Sequence, residues 1–271
     1  MISDKIVDDR ERQRRHFNRI ADKYCSARQN PRLALLKKIL WNAVFERAST
    51  WGLPQKIRVL EAMCGFADGY DVFKENWTGE VLYSGFDYSE EMVGHARQRY
   101  PEMDIFCHDV TLPMDGAKQN SYNVILLVGG LHHVHRFVER SLENLSSSLQ
   151  DGGIFINFEP TNNNRLLKWI RTRIYERNII FDEESERAFS TPEIHRAFAA
   201  NKLFPIDELY PGLLAYILWY NPDAFPFLNR GSLKVVSALS KFEKNLLWRT
   251  ALARYLSFAT LTVYRKRGAD L

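Results

Sequence analysis

The sequence has little of what would make it a membrane-spanning, disulfide-stapled or nucleic-acid-binding chain. Its three cysteines, Cys25, Cys64 and Cys107, lie far apart with no CxxC pair. No secretory signal is read ahead of them, so a reducing cytosol is expected rather than a disulfide framework. The longest uncharged run worth testing as a span, Leu209 to Pro222, contains Pro211, Gly212, Asn221 and Pro222. Only Leu213 to Tyr220 remains as its apolar centre, far below the roughly 20 residues a spanning helix needs. Charge of one sign is scarce too: Lys+Arg 37 against Asp+Glu 33 gives a net +4. That balance demands no nucleic-acid partner and still permits an anionic surface or substrate. Internal repeats and low-complexity tracts are missing. What is present, 45% hydrophobic and 26% charged residues in a chain of 271, is globular composition with enough length for one well-filled domain. The expected molecule is cytoplasmic, a monomer or homodimer, with peripheral contact the only membrane association considered.

The chain changes rhythm twice. Asp8 to Arg15 is nearly all polar, after which Phe17, Ile20, Ala21 and Tyr24 recur at helical spacing. Past Asn30-Pro31, Leu33, Leu36, Leu40 and Val44 mark one face of a second helix. From Lys56, short apolar strands alternate with helices. Strands are expected at Arg58–Ala62, Val81–Phe86, Ile105–Cys107, Val124–Val128 and Ile154–Phe158. The intervening helices are expected at Asp71–Glu75, after the cap Ser89 with Glu90 and Glu91 in its first turn, and at Phe137–Leu149. This alternation predicts an α/β fold with a parallel sheet covered on both faces. Beyond Pro160 come an amphipathic helix, Leu166–Tyr175, a charged connector, Asp182–Arg187, and a helix start at Thr191-Pro192-Glu193. Sixth and seventh strands are expected at Phe204–Leu209 and Leu256–Tyr264, with a helical insertion, Gly212–Tyr255, between them.

The chemistry collects at strand ends. The first strand runs into Val59-Leu60-Glu61-Ala62-Met63-Cys64-Gly65-Phe66-Ala67-Asp68-Gly69, a tight turn that lets a ligand approach backbone and helix N-terminus. Asp87 closes the second strand, 22 residues after Gly65, the distance at which an acid reaches ribose hydroxyls in a nucleotide-binding βαβ unit. Asp109 follows the third strand. Three acids, Glu61, Asp87 and Asp109, therefore line the carboxyl edge of one sheet, where a cationic nucleoside suits better than a pyrophosphate. Asp87 can equally cap the helix that follows it, and Asp109 can be an ordinary turn acid.

These residues resemble the class I S-adenosylmethionine-dependent methyltransferases, over about Phe17 to Tyr264 and most strongly from Val59 to Glu159. Glu61, Gly65 and Gly69 match the acid and two glycines of that family's first motif. Gly85-Phe86-Asp87-Tyr88-Ser89-Glu90-Glu91-Met92 is similar to its ribose-binding segment, and His108-Asp109-Val110 to the segment whose acid binds the adenine amino group. Leu131-His132-His133-Val134, just past Val128, resembles the fourth-strand signature of the small-molecule subgroup. Phe17 to Tyr24 resembles that subgroup's lid segment. The resemblance implies a Rossmann-like, seven-stranded, mostly parallel sheet with helices on both faces. Its parts are an N-terminal helical lid (1–54), a cofactor-binding core (55–160) and a C-terminal part (161–271), whose insertion, about 212–255, caps the substrate. It implies S-adenosylmethionine as cofactor, contacted by Tyr24, Glu61, Gly65, Ala67, Asp87, Tyr88, Met92, Asp109, Val110 and Val128. Met63 and Ala67 depart from the motif, standing where the family has glycines. Ala67 adds one methyl, tolerable at negative φ.

A histidine at the exit of the fourth strand has a pKa suited to deprotonating a hydroxyl, and the resemblance pairs it with an acid at the end of the fifth strand. His133 or His132 is the expected base, with Glu159 in support. No metal is expected, because adjacent histidines point in different directions with no carboxylate at ligand spacing. The expected reaction is O-methylation of a small-molecule or lipid-linked acceptor. Residues 212–255, with Arg230, Lys234, Lys241, Lys244 and Arg249 among aromatics, supply the candidate membrane contact. The alternatives are an RNA or protein methyltransferase, or a non-catalytic, membrane-associated cofactor-binding protein.

Overall fold

A computed structural model describes residues 2–175, 187–222 and 224–268. The expected connector Asp182–Arg187 lies outside these, apart from Arg187. Two helices open the chain, α1 (Ile2–Arg28) and α2 (Pro31–Phe45). Asn30 separates them: its side chain accepts from the amides of Arg32 and Leu33, and Pro31 fills the first helical position, where no N–H is needed. The sheet elements then follow as β1 (Ile57–Ala62), α3 (Asp68–Asn76), β2 (Val81–Asp87), α4 (Glu90–Arg99), β3 (Asp104–Cys107), β4 (Tyr122–Val128), α5 (Val138–Ser148) and β5 (Leu149–Pro160). After them come α6 (Arg165–Tyr175), α7 (Thr191–Ala200), β6 (Leu203–Leu209), α8 (Leu214–Trp219), α9 (Leu233–Leu246), α10 (Ala251–Leu256) and β7 (Ala259–Lys266).

The seven strands form one sheet in the order β3-β2-β1-β4-β5-β7-β6. The pairs up to β5 are parallel, and β7 runs antiparallel to both β5 and β6. Crossovers to either side of β1 place the chain reversal between β1 and β4, and the carboxyl ends there are where an open sheet binds ligands. Strand alternation sorts the core into two layers. Val124 and Leu126 join α2, α3, α8 and α9 on one face; Ile125 and Leu127 join α5 and α7 on the other. The insertion thus belongs to the same packed layer as α2, through Trp219, Val236 and Trp248.

Several boundaries differ from the sequence expectations for local reasons. The seventh strand starts at Ala259 because Thr250 caps α10, accepting from the Ala253 amide at 3.1 Å, and so draws Leu256 into a helix. The cap of α7 is Ser190, in a reciprocal capping box with Glu193, rather than Thr191. The helix expected at Phe137–Leu149 is α5, Val138–Ser148, and a 3-10 segment that was not expected, Leu131–Phe137, leads into it. Gly152, at φ +77°, lies near the start of β5.

Candidate functional site

Between β1 and α3 the backbone is left-handed at three alternate residues, Met63, Gly65 and Ala67, with φ of +53°, +51° and +58°. The negative φ at which the Ala67 methyl would be tolerated without strain is therefore not the one adopted. A side chain in this region costs roughly 1–2 kcal/mol, so the two departures keep the glycine geometry under strain. Packing holds them there. A Cβ on Gly130 would meet the Met63 sulfur at 2.8 Å, so the bare glycine makes the room that the thioether uses. Ala67 is fully buried in the layer shared with Phe73 and Val93. Gly69 is needed for a different reason: a Cβ there would lie 2.6 Å from Glu61 Oε2. Without it, the Gly69 amide donates to that oxygen at 3.0 Å, and the Tyr83 hydroxyl donates to the same oxygen. Burial pushes the Glu61 carboxyl up to about 8, against those two donors.

Asp87 closes β2 with both oxygens engaged, Oδ2 accepting from the Gly65 amide and Oδ1 from the Ser89 amide, each at 2.9 Å. Enclosure raises its pKa, and the two amides oppose that. The same acid thus ties the turn to β2 and caps the approach to α4. Asp109 is buried, accepting from the Thr111 amide and pairing with Arg10 of α1 at 2.8 Å. Further along α1, Glu11 accepts from the Tyr88 hydroxyl at 2.6 Å, Arg14 pairs with Glu90, and Asn18 accepts from the Ser89 hydroxyl at 2.5 Å. Met92 packs with Phe66 and Ala21, and Val110 lies in the core beside Leu131. Residues Asp87, Tyr88, Met92, Asp109 and Val110 are accordingly gathered at one end of the sheet edge, beneath α1.

The other end opens into a cavity of about 790 Å³. Tyr24, Glu61, Gly65, Val128, His132, His133 and Glu159 all stand on its wall; Ala67 does not. Its chemistry is divided. On one side Asp68 accepts from Lys37 at 2.8 Å and from Arg99 at 2.6 Å. Burial alone would raise the Asp68 pKa, but these two cations hold it below the ordinary carboxylate range. On the other side are aromatic and aliphatic walls from Phe158, Ile170, Tyr216, Tyr220, Phe225 and Phe258.

His132 and Glu159 meet at this wall. Glu159 Oε2 lies 2.9 Å from His132 Nδ1, while Oε1 accepts from the amides of Gly130 and Leu131 at 2.8 and 2.7 Å. The carboxylate is fully buried, so three partners fix its rotamer and the histidine ring with it. His133 is differently employed, edge-on to Phe17 at 5.0 Å and against the His132 ring at 3.9 Å. Among the described residues no cluster of three or more His, Cys, Asp or Glu is arranged to hold a metal ion.

Sequence reasoning missed Gly129-Gly130. Gly129, at φ +65°, turns the chain after β4, and the next amide is the donor that positions Glu159. A glycine pair after an apolar strand was the available signal. Arg171, buried on the cavity wall with Nη2 donating to the Thr161 and Phe258 carbonyls, carried no signal, being one cation in a basic helix.

Residues 59–153 match the family described as a methyltransferase domain. Over all or most of its length the chain also shares its fold with solved structures. One is the chain found in complex with the Haloferax volcanii Trm112 methyltransferase activator, 16% identical, TM-score 0.61, covering 95% of this chain and 99% of that one. A second is a Galdieria sulphuraria protein provisionally assigned as a sarcosine dimethylglycine methyltransferase, 12% identical, TM-score 0.60, covering 86% of each chain. A third, the cyclase SpnF, is 14% identical with TM-score 0.55, covering 83% of this chain and 80% of that one. No protein of curated function matches the sequence. The domain match and the shared architecture bear out the resemblance to class I S-adenosylmethionine-dependent methyltransferases and the Rossmann-like, mostly parallel sheet.

Proposed function

We propose that this chain transfers a methyl group from S-adenosylmethionine to an oxygen of a small, largely apolar acceptor, with His132 as the general base. The observation that carries this reading is the His132–Glu159 pair on the cavity wall. A carboxylate on Nδ1 selects the tautomer that leaves Nε2 basic and stabilises the imidazolium formed when a hydroxyl proton is taken. His133, packed between Phe17 and His132, is a structural neighbour of that base.

The residues at hand fit the cofactor. Gly65 lies on the cavity in left-handed conformation, with open space where a side chain would stand, so backbone and ligand can come together. Lys37, Asp68 and Arg99 offer both signs of charge to a zwitterionic amino-acid end, and Tyr24 stands beside Gly65 on the same wall. Asp87 and Asp109 would serve the ribose and the adenine amine, once the amide and guanidinium partners they now hold are shared or exchanged. When bound, the group supplies a methyl on a sulfonium centre, open to in-line displacement. The protein's own work is to align the acceptor against the aromatic wall, exclude water and accept one proton at His132 Nε2.

The test is turnover by His132→Ala across hydroxylated acceptors, alongside calorimetric titration with S-adenosylmethionine. Loss of a base should cost roughly 10²–10⁴-fold in kcat while cofactor affinity is retained. Unchanged turnover in the variant would overturn His132 as base. A second reading, a cofactor-binding protein without methyl transfer, draws on Met63 and Ala67 and on the cyclase that shares this fold. It is supported if the wild type binds cofactor and turns over no acceptor.

A further inference from the structure

Helix α6 borders the cavity and carries apolar side chains both toward it and toward solvent. Ile170 and Arg171 line the cavity, and Leu167 is buried. Away from the cavity Leu166 and Trp169 are 64% and 58% exposed, and Arg173, one turn on, lies over the Trp169 ring at 5.9 Å. The start of α6 meets the end of α10. Asn163 and Asn164, at the start of α6, donate to the carbonyls of Arg254 and Tyr255 at 2.9 and 2.6 Å, and Arg171 donates to the Phe258 carbonyl. This brings Tyr255 and Leu256, exposed at the end of α10, to the start of α6, with the exposed Leu252 one turn back along α10. Five large apolar side chains on two adjoining helices exceed the scattered exposure expected of a solvated surface.

Among the described residues the two helices carry charge of one sign. Arg165, Lys168, Arg173 and Arg254 are exposed here, and neither Arg165–Tyr175 nor Ala251–Leu256 contains an acid. Tryptophan and tyrosine among leucines, ringed by long cationic side chains, are the chemistry of a bilayer interface: aromatics settle at headgroup depth while lysine and arginine reach the phosphates.

We infer that the α6–α10 surface docks on an anionic lipid bilayer. The surface backs directly onto the cavity wall through Ile170 and Phe258, so an acceptor carried in the membrane reaches the site without crossing water. That second step rests on the methyl-transfer reading; the docking itself does not. The contact expected of residues 212–255 thereby narrows to their last helix and gains α6.

The experiment is co-sedimentation of the full chain with vesicles of phosphatidylcholine alone and of phosphatidylcholine mixed with phosphatidylglycerol. Cofactor titration of the same samples reports independently on the site. Binding is expected only to the anionic vesicles, weakening with salt. It should be lost in Trp169→Glu combined with Leu252→Glu, and fall about fivefold in Lys168→Gln, as one interfacial cation implies. All three substitutions are at exposed positions and should leave cofactor titration unchanged. Absence of binding to anionic vesicles, or binding indifferent to these substitutions, overturns the inference. So does a dimer in light scattering that the Trp169 and Leu252 changes dissolve, which would give the face to a second copy. Vesicle binding gained only after Asp182, Glu183, Glu184 and Glu186 are changed to amides would give it instead to the chain's own acidic segment. Vesicle binding without cofactor binding would leave the docking intact and remove the methyl-transfer reading.

Discussion

The two ends of the sheet edge are finished in opposite ways. Over β2 and β3, the acids Asp87 and Asp109 already have protein partners: two amides on the first, and an amide with the Arg10 guanidinium on the second. Over β1, β4 and β5 the edge stays open as a cavity, with the His132–Glu159 pair on its wall. Buried charge explains the difference. A carboxylate enclosed at a strand tip needs donors at all times, so ligand entry there is an exchange of partners. An aromatic wall has no such requirement and keeps its shape through the packing of α6, α8 and the segment around Phe225.

The largest expected effect separates the two ends outright. His132→Ala should lose roughly 10²–10⁴-fold in turnover with cofactor affinity intact. Asp87→Ala should do the converse, weakening calorimetric S-adenosylmethionine binding by roughly 10–100-fold, the worth of hydrogen bonds to a charged group. If Asp87→Ala binds as the wild type does, the acid is only a cap for the turn, and the division between cofactor end and acceptor end collapses.

Glu61 sits where the two ends join, and its titration sharpens the comparison. Its carboxyl titrates at about 8 in the folded protein, above the roughly 4.3 of an unfolded glutamate. The protonated group's contribution is therefore complete below the unfolded value and is lost as pH rises through the folded one. Chemical denaturation at about pH 5 and about pH 8 should show a decline from this residue. Glu61→Gln, whose amide oxygen still accepts from Gly69 and Tyr83, should flatten it. An undiminished decline in the variant would assign the pH dependence elsewhere.

Smaller effects probe strain and closure. Ala67→Gly relieves a left-handed alanine at φ +58° and removes one buried methyl, so a net stabilisation of up to about 1 kcal/mol is expected in thermal unfolding. Arg10→Ala removes the cation that holds Asp109. Cofactor should then bind about two- to fivefold more tightly, because the buried Asp109 carboxylate is left short of a donor and no partner need be exchanged. Weaker binding would mean that Arg10 stays in place and contacts the ligand.

The motif from Val59 to Gly69, the acid at Asp87 and the βα alternation were legible because each rests on residues close in sequence. Boundaries failed where a cap one residue away decided the matter, as at Ser190 and Thr250. Ala67 misled for another reason. Its methyl reads as incompatible with a left-handed turn, and only the packing around it holds the backbone there. The choice between His132 and His133 was equally hidden, since both stand at the same strand exit and only one reaches Glu159.

The sequence by itself determined the layered α/β fold and the strand-end acids, because periodicity, capping and turn chemistry act within a few residues. The tertiary structure alone decided which histidine is oriented and how α1 closes the β2–β3 end. It also decided that α6 and α10, each with exposed apolar and basic side chains, meet at Asn163 and Asn164. Those outcomes depend on contacts between residues far apart in the chain, such as Arg10 with Asp109 and Asn164 with Tyr255, which no local pattern encodes.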